Sequence, residues 1–365
     1  MAPTASVRVS PLCLGALTFG DQLQDLYGQI TKEEAFKILD EFYSCGGNFI
    51  DTASAYQRGQ SEEWLGEWMA SRGNRDDIVL ATKYSTGYKL HQKDRLQVNY
   101  GGNGTKSMRL ALEDSLKKLQ TNYVDVFYLH WWDFTATIEE VMQSLNDLVA
   151  SGKVIYLGIS DAPAWVVTKA NQYARMAGLR QFVVYQGMWS AALRDFERDI
   201  VPMCASEGMG IAPYGVLNQG RFQTEEGWRE REKPHGGRNY IQPTARDRQV
   251  SKVLETMAVK KGVKILDVAL AYVRQKAPYV FPIVGARTVG HIRGSIAGLE
   301  VSLTDEEMEQ VDKSYDFDHG FPHTFLSGSL VTGDRPWGAT GPGDTWLTKQ
   351  LGNIEWVEAL KPLKP

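Results

Sequence analysis

Several features of secreted, membrane-bound and metal-binding proteins are missing from this sequence of 365 residues. It has 3 cysteines, which lie far apart and are odd in number, so neither a disulfide framework nor a zinc site is predicted. The amino terminus does not resemble a signal peptide, and no apolar run approaches the roughly 18 residues that cross a bilayer. We therefore expect a cytoplasmic protein with no membrane partner.

An excess of charge of one sign is also lacking. The chain has 40 basic and 44 acidic residues, a net charge of -4 and no long block of either sign, so no nucleic acid partner is expected. Hydrophobic residues make up 43% and charged residues 23%, which excludes a disordered chain or a coiled coil. Glycine, with 35 residues, and tryptophan, with 10, are abundant instead. This composition favours a globular protein whose partner is a small molecule.

Short apolar or β-branched runs alternate with helical patterns along most of the chain. Thr31 and Thr137 are predicted to cap helix starts, and Gly46 and Gly152 to end helices. Continuous apolar strands between helices predict a parallel sheet, and an α/β fold of the (β/α)8 TIM barrel type with long βα loops is favoured. A doubly wound open sheet is the alternative, but the glycines after the first strand do not fit its dinucleotide motif. The predicted strands are 12–14, 48–51, 78–83, 124–130, 154–160, 182–186, 210–214 and 280–284.

A glycine-rich segment at 101–107 superficially suggests a phosphate-binding loop. It lacks the Gly-Lys-Ser order of such loops and does not follow a predicted strand. We expect it to be an ordinary loop that leads into a helix cap.

Six consecutive predicted strands end on a polar residue that their apolar pattern does not predict. In a barrel the carboxyl ends of all strands meet at one mouth, where barrel enzymes keep their chemistry. A single such residue has ordinary structural explanations, such as capping a turn, but the joint placement predicts an active site. These residues are Asp51, Lys83, His130, Ser160, Gln186 and Tyr214.

The chemistry of this set is not that of the common hydrolases. The sequence contains no pair of carboxylates suited to a glycosidase, no His-x-His or His-Glu-x-x-His zinc pattern and no Gly-x-Ser-x-Gly elbow. Tyr56 lies shortly after Asp51, and a lysine beside a tyrosine lowers the pKa of the phenol. Tyr56 is therefore a candidate proton donor, with Asp51 keeping Lys83 charged.

In this order and at these strand ends, Asp51, Tyr56, Lys83 and His130 resemble the catalytic tetrad of the aldo-keto reductases. The resemblance extends over about residues 7–315 and includes the segments 46–53, 128–133, 158–160, 212–215 and 282–287. Residues 160–165 and the long tail are most similar to the fungal branch of aryl-alcohol dehydrogenases and norsolorinic acid reductase-like proteins. That branch includes reductases of aromatic polyketide pathways.

The resemblance implies hydride transfer between a nicotinamide cofactor and a carbonyl or alcohol, without a metal. Tyr56 would protonate the developing alkoxide, Lys83 and Asp51 would tune Tyr56, and His130 would hold the carbonyl oxygen. The alternative is a barrel that binds the cofactor as a redox-sensing regulatory subunit, and a metal hydrolase barrel is a more distant one. The complete tetrad favours the enzyme.

The resemblance also implies how the cofactor is held. Ser160, Asp161 and Gln186 would bind the carboxamide, and Tyr214 would stack under the ring. Asp161 stands where the family has asparagine and cannot donate a hydrogen bond, and a helix-capping role for it is equally open. Arginines in the last two loops predict a preference for NADP(H), because a guanidinium binds a 2'-phosphate well. The cofactor-binding set is Ala16, Leu17, Asp51, Ser160, Asp161, Gln186, Tyr214, Gly215, Leu217, Gly220, Arg221, Gly285, Arg287, His291 and Ser295.

Aromatic residues in the loops after the first and fourth strands predict an aromatic aldehyde, ketone or alcohol as substrate. For Trp132 two predictions stay open: it contacts the substrate, or it fills the space between a loop and a helix. The predicted substrate contacts are Phe19, Tyr27, Tyr56, His130 and Trp131.

The chain is predicted to divide into a barrel, 1–315, and an aromatic-rich C-terminal extension, 316–365. Phe321, Phe325, Trp337, Trp346 and Trp356 make this tail too aromatic for a free linker, so it is expected to dock on the barrel mouth or on a second subunit in a homodimer. The charged stretch 224–233 is predicted to be a lid that brings Arg231 towards the cofactor.

Overall fold

Eight parallel strands alternate with helices along the chain. The computed structural model describes residues 2–231, 242–332, 341–352, 354–358 and 360–365. The seventh strand is shorter than the predicted range 210–214, and the eighth begins later than the predicted residue 280. The strands are β1 (Cys13–Gly15), β2 (Phe49–Asp51), β3 (Val79–Tyr84), β4 (Val124–Leu129), β5 (Val154–Ser160), β6 (Phe182–Gln186), β7 (Gly210–Ile211) and β8 (Ile283–Gly285).

The sheet closes on itself. Its strands follow the order β7-β6-β5-β4-β3-β2-β1-β8. Each strand from β1 to β7 therefore pairs with the next one in the chain, and β8 pairs with β1. The remaining gap is bridged because the Phe281 N–H donates to the Ile211 carbonyl at 2.8 Å and the Ile283 N–H to the Pro213 carbonyl at 2.8 Å. These bonds confirm the predicted (β/α)8 barrel and bring all the strand ends to one mouth.

The helices begin and end largely where local chemistry predicts. The side-chain oxygens of Thr31 and Thr137 each accept the backbone N–H three residues later at 3.2 Å. Gly46 and Gly152 follow helices with φ of 84° and 75°, a left-handed conformation that favours glycine. The helices are α1 (Gln24–Tyr27), α2 (Lys32–Ser44), α3 (Gln60–Arg72), α4 (Thr105–Lys118), α5 (Ile138–Ala150), α6 (Ala164–Ala177), α7 (Phe196–Glu207), α8 (Glu225–Arg231), α9 (Ala245–Lys261), α10 (Ile265–Lys276), α11 (Val289–Ala297), α12 (Asp305–Asp312), α13 (His323–Leu326) and α14 (Ser329–Thr332).

The interior of the barrel is filled by layers of side chains from alternate strand positions. Phe49, Ala81, Tyr128 and Val184 belong to one buried cluster, and each lies two residues before a predicted site residue. Since every second side chain of a strand points to the same face, the site residues form the next inward layer, at the mouth. Gly158 makes room there, because a Cβ at this position would lie 2.4 Å from the Tyr128 ring.

The amino-terminal segment covers the opposite end of the barrel. Ala5 belongs to the inner cluster, and Val7 and Val9 pack against it. The Thr4 hydroxyl donates to the Gly208 carbonyl at 2.7 Å at the end of α7. The floor of the barrel is therefore closed by the chain itself.

Several described residues of the tail contact their own barrel. Phe317 lies 4.8 Å and 4.6 Å from the guanidinium carbons of Arg194 and Arg198, and the Asp318 carbonyl accepts from Arg198 at 2.6 Å. Lys364 donates to the Leu303 carbonyl at 2.8 Å, beside α12. A cavity of about 840 Å³ lies between the tail and the barrel, and its described lining contains none of the predicted site residues. Docking on the mouth or on a second subunit, and the division at residue 315, stay predictions.

Two parts of the sequence prediction fall on residues that the structure does not describe. Trp337 lies outside the described residues, as do 232–233 of the charged stretch and the side chain of Arg231. Helix α8 occupies the described part of that stretch. No helix among the described residues is long and apolar enough to cross a membrane.

Candidate active site

A buried ion pair lies at the centre of the mouth. The Lys83 ammonium is 2.6 Å from the Asp51 carboxylate and donates to the Thr52 carbonyl at 2.7 Å, and its side chain is 0% exposed. Burial alone would lower the pKa of Lys83, but the charge of Asp51 and the Tyr56 oxygen raise it above its usual value. Lys83 therefore stays charged at neutral pH although water does not reach it.

Tyr56 lies beside this pair, in a tight turn that follows β2. Its hydroxyl is 3.4 Å from the Lys83 nitrogen. The sequence predicts that Lys83 lowers the pKa of Tyr56, and Lys83 does act in that direction, but burial outweighs it and raises the pKa. The prediction of a lowered pKa is thus wrong for the protein alone, and Tyr56 keeps its proton at neutral pH.

His130 faces Tyr56 from the end of β4. The two ring centroids are 5.7 Å apart and the rings are inclined by 71°. Burial and the nearby charge of Lys83 lower the pKa of His130 to about 3, so its imidazole is neutral. The backbone N–H of His130 donates to the Ser85 hydroxyl at 3.2 Å, which holds the residue in place.

The Thr86 hydroxyl connects His130 to Trp131. The Trp131 indole N–H donates to the Thr86 hydroxyl at 3.0 Å, and the same hydroxyl lies 3.4 Å from Nδ1 of His130. When this hydroxyl donates to Nδ1, the imidazole proton is on Nε2. Thr86 was not among the predicted site residues, since nothing in the sequence pattern links it to His130.

The glycine-rich segment 101–107 supports the loop that carries these residues. As predicted, it is a loop that leads into α4, whose cap position is Gly104. Asn103 is fully buried, and its amide donates to the Trp131 carbonyl at 3.0 Å. Asn103 and Asp133 also exchange two bonds, of 2.7 Å and 2.8 Å, between the backbone N–H of one and the side chain of the other. Sequence reasoning missed this brace because its two halves lie far apart in the chain.

Ser160, Asp161, Gln186 and Tyr214 form the opposite wall of the mouth. The Gln186 amide donates to the Asp51 carboxylate at 3.0 Å, which connects this wall to the ion pair. The Tyr214 hydroxyl lies 3.2 Å and the Ser160 hydroxyl 3.3 Å from the Asp161 carboxylate. Partial burial raises the pKa of Asp161. The helix-capping alternative is wrong, because Pro163 occupies the cap position of α6 and no side chain caps it.

The predicted cofactor loops follow the neighbouring strands β7 and β8. Gly215, Leu217, Gly220 and Arg221 lie after β7, and Gly285, Arg287, His291 and Ser295 lie after β8.

Arg221 is engaged within its own loop. It donates to the Asn218 side chain at 2.5 Å and lies 3.4 Å from the Asp247 carboxylate of α9. Asn218 and Asp247, whose side chains are bonded at 2.6 Å, were missed because Asp247 reads in the sequence as part of a helix cap.

Arg287 connects the loops after β8 and β1. A Cβ at Gly28 would lie 2.5 Å from its guanidinium, so the two loops are in close contact. The backbone N–H of Arg287 donates to Nδ1 of His291 at 3.3 Å, and the Ser295 hydroxyl donates to the His291 carbonyl at 3.2 Å. Burial and Arg287 lower the pKa of His291.

Two predicted contact residues are fully buried in the core of the protein alone, and their contacts with a ligand stay predictions. Phe19 and Ala16 are each 0% exposed and belong to the main hydrophobic cluster. The side chains of the first loop turn inward because that loop packs on α3, where the Ser61 hydroxyl donates to the Ala16 carbonyl at 2.7 Å. Leu17 and Tyr27 in the same region are partly exposed.

The paired tryptophans after His130 have different environments. Trp131 is 41% exposed, whereas Trp132 is 8% exposed and packs against Phe134 with ring centroids 6.5 Å apart. Trp132 thus fills the space within its loop, and Trp131 remains available at the surface. No group of three or more potential ligand side chains in the described part of the chain could hold a metal ion.

A model of the aldo/keto reductase family matches residues 11–316. The chain belongs to this family. It is 63% identical over 365 residues to norsolorinic acid reductase B of Dothistroma septosporum, covering 100% of this chain and 93% of that protein. The protein of the same name from Aspergillus parasiticus is 63% identical over 367 residues, with 100% and 96% covered. The aryl-alcohol dehydrogenase (NADP(+)) of Phanerodontia chrysosporium is 48% identical over 361 residues, with 96% and 94% covered.

Membership of this family makes the protein an oxidoreductase of carbonyl and alcohol groups. The enzymes of this family use nicotinamide cofactors. The relatives just described are named as reductases and dehydrogenases. An enzyme is therefore favoured over the redox-sensing subunit and the metal hydrolase.

The low pKa of His130 can be measured directly. We expect the imidazole to remain neutral, with its proton on Nε2, when the pH is lowered from 8 to 5, because burial and Lys83 disfavour the cation. Nitrogen NMR of the isotope-labelled histidines would report both charge and tautomer. The exposed His91, whose pKa is lowered by slight burial and by Arg58, serves as the comparison that solvent reaches. Protonation of His130 near pH 6.5 would contradict this assignment.

Proposed function

We propose that this protein is an NADP(H)-dependent enzyme that interconverts an aromatic aldehyde or ketone and its alcohol in aromatic secondary metabolism. The observation that carries the proposal is the convergence of Tyr56, Lys83 and Asp51 with a neutral His130 at one mouth. These groups can supply a proton and a hydrogen bond to a single oxygen atom. The names of the relatives support the same class of reaction.

The residues of the mouth fit a nicotinamide. Tyr214 offers a half-buried ring at its edge, and Ser160, Asp161 and Gln186 offer a hydroxyl, a carboxylate and an amide beside it. A primary carboxamide needs this mixture of donors and acceptors. When bound, the reduced nicotinamide would supply a hydride to the carbonyl carbon.

Tyr56 acts as the proton donor in this proposal. As negative charge develops on the carbonyl oxygen, the Tyr56 hydroxyl gives it a proton and becomes a phenolate. The Lys83 ammonium, 3.4 Å away, stabilises that phenolate, and Asp51 keeps the ammonium in place. The imidazole proton on Nε2 of His130 donates a second hydrogen bond to the same oxygen. Oxidation of an alcohol uses the same groups in reverse.

Arginine chemistry supports NADP(H) rather than NAD(H). Arg287 directly precedes Thr288, the cap residue of α11, where backbone N–H groups also favour an anion. A guanidinium there can bind a 2'-phosphate by two parallel hydrogen bonds. Arg287 is therefore the proposed basis of the cofactor preference.

The aromatic substrate is proposed from Trp131 and Tyr27. Trp131 directly follows His130, and its exposed ring is held by the bond from its indole N–H to Thr86. Tyr27 is partly exposed in the loop after β1. Flat aromatic rings at the mouth favour a substrate that is itself aromatic.

The role of Tyr56 predicts the effect of removing its hydroxyl. In Tyr56→Phe, NADPH oxidation with aromatic aldehydes should fall by about 100-fold or more, because the proton donor is missing. The dissociation constant of NADPH, measured by fluorescence, should change little. Tyr43→Phe, which removes a hydroxyl bonded to Asp77 on the outer surface, is the control and should keep full activity. Normal turnover in Tyr56→Phe would refute the mechanism.

Cofactor preference can be tested with two neighbouring arginines. Arg287→Ala should raise the KM for NADPH by about tenfold or more and leave the KM for NADH nearly unchanged, since only NADPH carries the 2'-phosphate. Arg293→Ala, which breaks the ion pair between Arg293 of α11 and Glu41 of α2, should change neither value. An unchanged ratio of the two KM values in Arg287→Ala would exclude the proposed contact.

The substrate proposal predicts a selective defect at Trp131. Trp131→Ala should lower kcat/KM for aromatic aldehydes by about three- to tenfold more than for short aliphatic aldehydes, because an aromatic pair contributes about 0.5–1.5 kcal/mol. Trp131→Phe keeps an aromatic face and should recover most of the loss. Equal effects of Trp131→Ala on both substrate classes would argue against aromatic recognition.

A further inference from the structure

Asp161 is a carboxylate at the mouth whose side chain has neutral partners. It accepts from the Tyr214 hydroxyl at 3.2 Å and from the Ser160 hydroxyl at 3.3 Å. Among the described residues, no lysine, arginine or histidine forms an ion pair with it. Its negative charge is therefore not cancelled locally.

The position of this carboxylate is fixed by its backbone. The Asp161 N–H donates to the Gln186 carbonyl at 3.1 Å, and the Asp161 carbonyl accepts from the Trp132 N–H at 3.5 Å. The residue has φ of 41°, a left-handed conformation that aspartate and asparagine tolerate better than most residues. Asp161 thus joins the ends of β4, β5 and β6 through its backbone, and its carboxylate is held by the Tyr214 and Ser160 hydroxyls.

The other charges of the mouth compensate each other. Lys83 and Asp51 form a contact pair of opposite sign, and His130 is neutral. Tyr56, Tyr185 and Tyr214 all have raised pKa values because of burial, so their hydroxyls stay neutral. Asp161 consequently determines the net charge beside the wall that carries Tyr214.

We propose that Asp161 makes the site bind the oxidised, positively charged nicotinamide more tightly than the neutral reduced form. The inference rests on the proposed function, which places the ring between Tyr214 and the tetrad. A carboxylate within several ångström of a cation in partly water-exposed surroundings attracts it by an amount on the order of tenfold in affinity. For a two-electron couple a tenfold difference equals about 30 mV. The potential of the bound couple is lowered accordingly, and reduction of the carbonyl is favoured.

The preference should depend on pH in one direction. Asp161 attracts a cation only when ionised, and partial burial raises its pKa towards neutrality. The groups that face it are Tyr214 and Ser160, with Tyr56, Tyr185 and Lys83 further away, and none of them changes charge as the pH falls from 8 to 5. The preference for the oxidised form should thus be largest where Asp161 is ionised and decline as acidification protonates it, at a higher pH than for an ordinary aspartate.

The test compares two binding constants rather than activity. The Kd values of NADP+ and NADPH are measured by calorimetry at pH 8 for the wild type, Asp161→Asn and Asp147→Asn. The ratio of Kd for NADP+ to Kd for NADPH should rise about tenfold in Asp161→Asn, because asparagine keeps the shape and tolerates the backbone but carries no charge. Asp147→Asn removes the same charge from the outer face of α5 and should leave the ratio unchanged.

The ratio isolates the charge of the ring, since the 2'-phosphate and adenosine are common to both forms. The pH dependence of the ratio in the wild type is a second measurement that does not require a variant. A ratio that is the same in Asp161→Asn and the wild type at pH 8 would overturn the inference. Failure of the wild type to bind either form would instead overturn the proposed function.

Discussion

The ion pair between Lys83 and Asp51 is the interaction on which the site depends. Both side chains are buried, and removing one partner of such a pair leaves an uncompensated charge that typically costs about 3–5 kcal/mol. The pair is tolerated because the closed barrel supplies further partners, the Thr52 carbonyl for the ammonium and the Gln186 amide for the carboxylate. Tyr56 then lies against an ammonium that cannot move away or lose its charge.

The two walls of the mouth are built by different means. The Tyr56 and His130 wall is held by polar side chains from distant segments: the Asn103–Asp133 brace fixes the loop, and Thr86 fixes the imidazole. The Tyr214 wall is held mainly by backbone bonds through Asp161. The first wall presents neutral donors to an oxygen atom, and the second presents one uncompensated charge. The proposed proton donor and the proposed cofactor-binding residues therefore lie on opposite walls of the mouth.

The aromatic residues differ in whether their rings pack against the protein or remain exposed. Adjacent Trp131 and Trp132 differ in exposure because the chain turns sharply between the end of β4 and α5, so one ring packs inward and the other outward. Phe317 of the tail lies against the guanidinium groups of Arg194 and Arg198, at the start of α7. Aromatic content alone therefore does not tell which rings reach a ligand.

The sequence by itself determined the barrel and the placement of Asp51, Lys83 and His130 at successive strand ends, because strand and helix patterns are local. Their role with Tyr56 as a catalytic tetrad stays a prediction, which rests on the resemblance. Only the tertiary structure decided what depends on packing between segments distant in the chain. Phe19 and Ala16 turned out to be core residues, burial raised the pKa of Tyr56 against the effect of Lys83, and Thr86 and Asn103 entered the site. Desolvation and long-range hydrogen bonds are properties of the folded environment, and no local pattern encodes them.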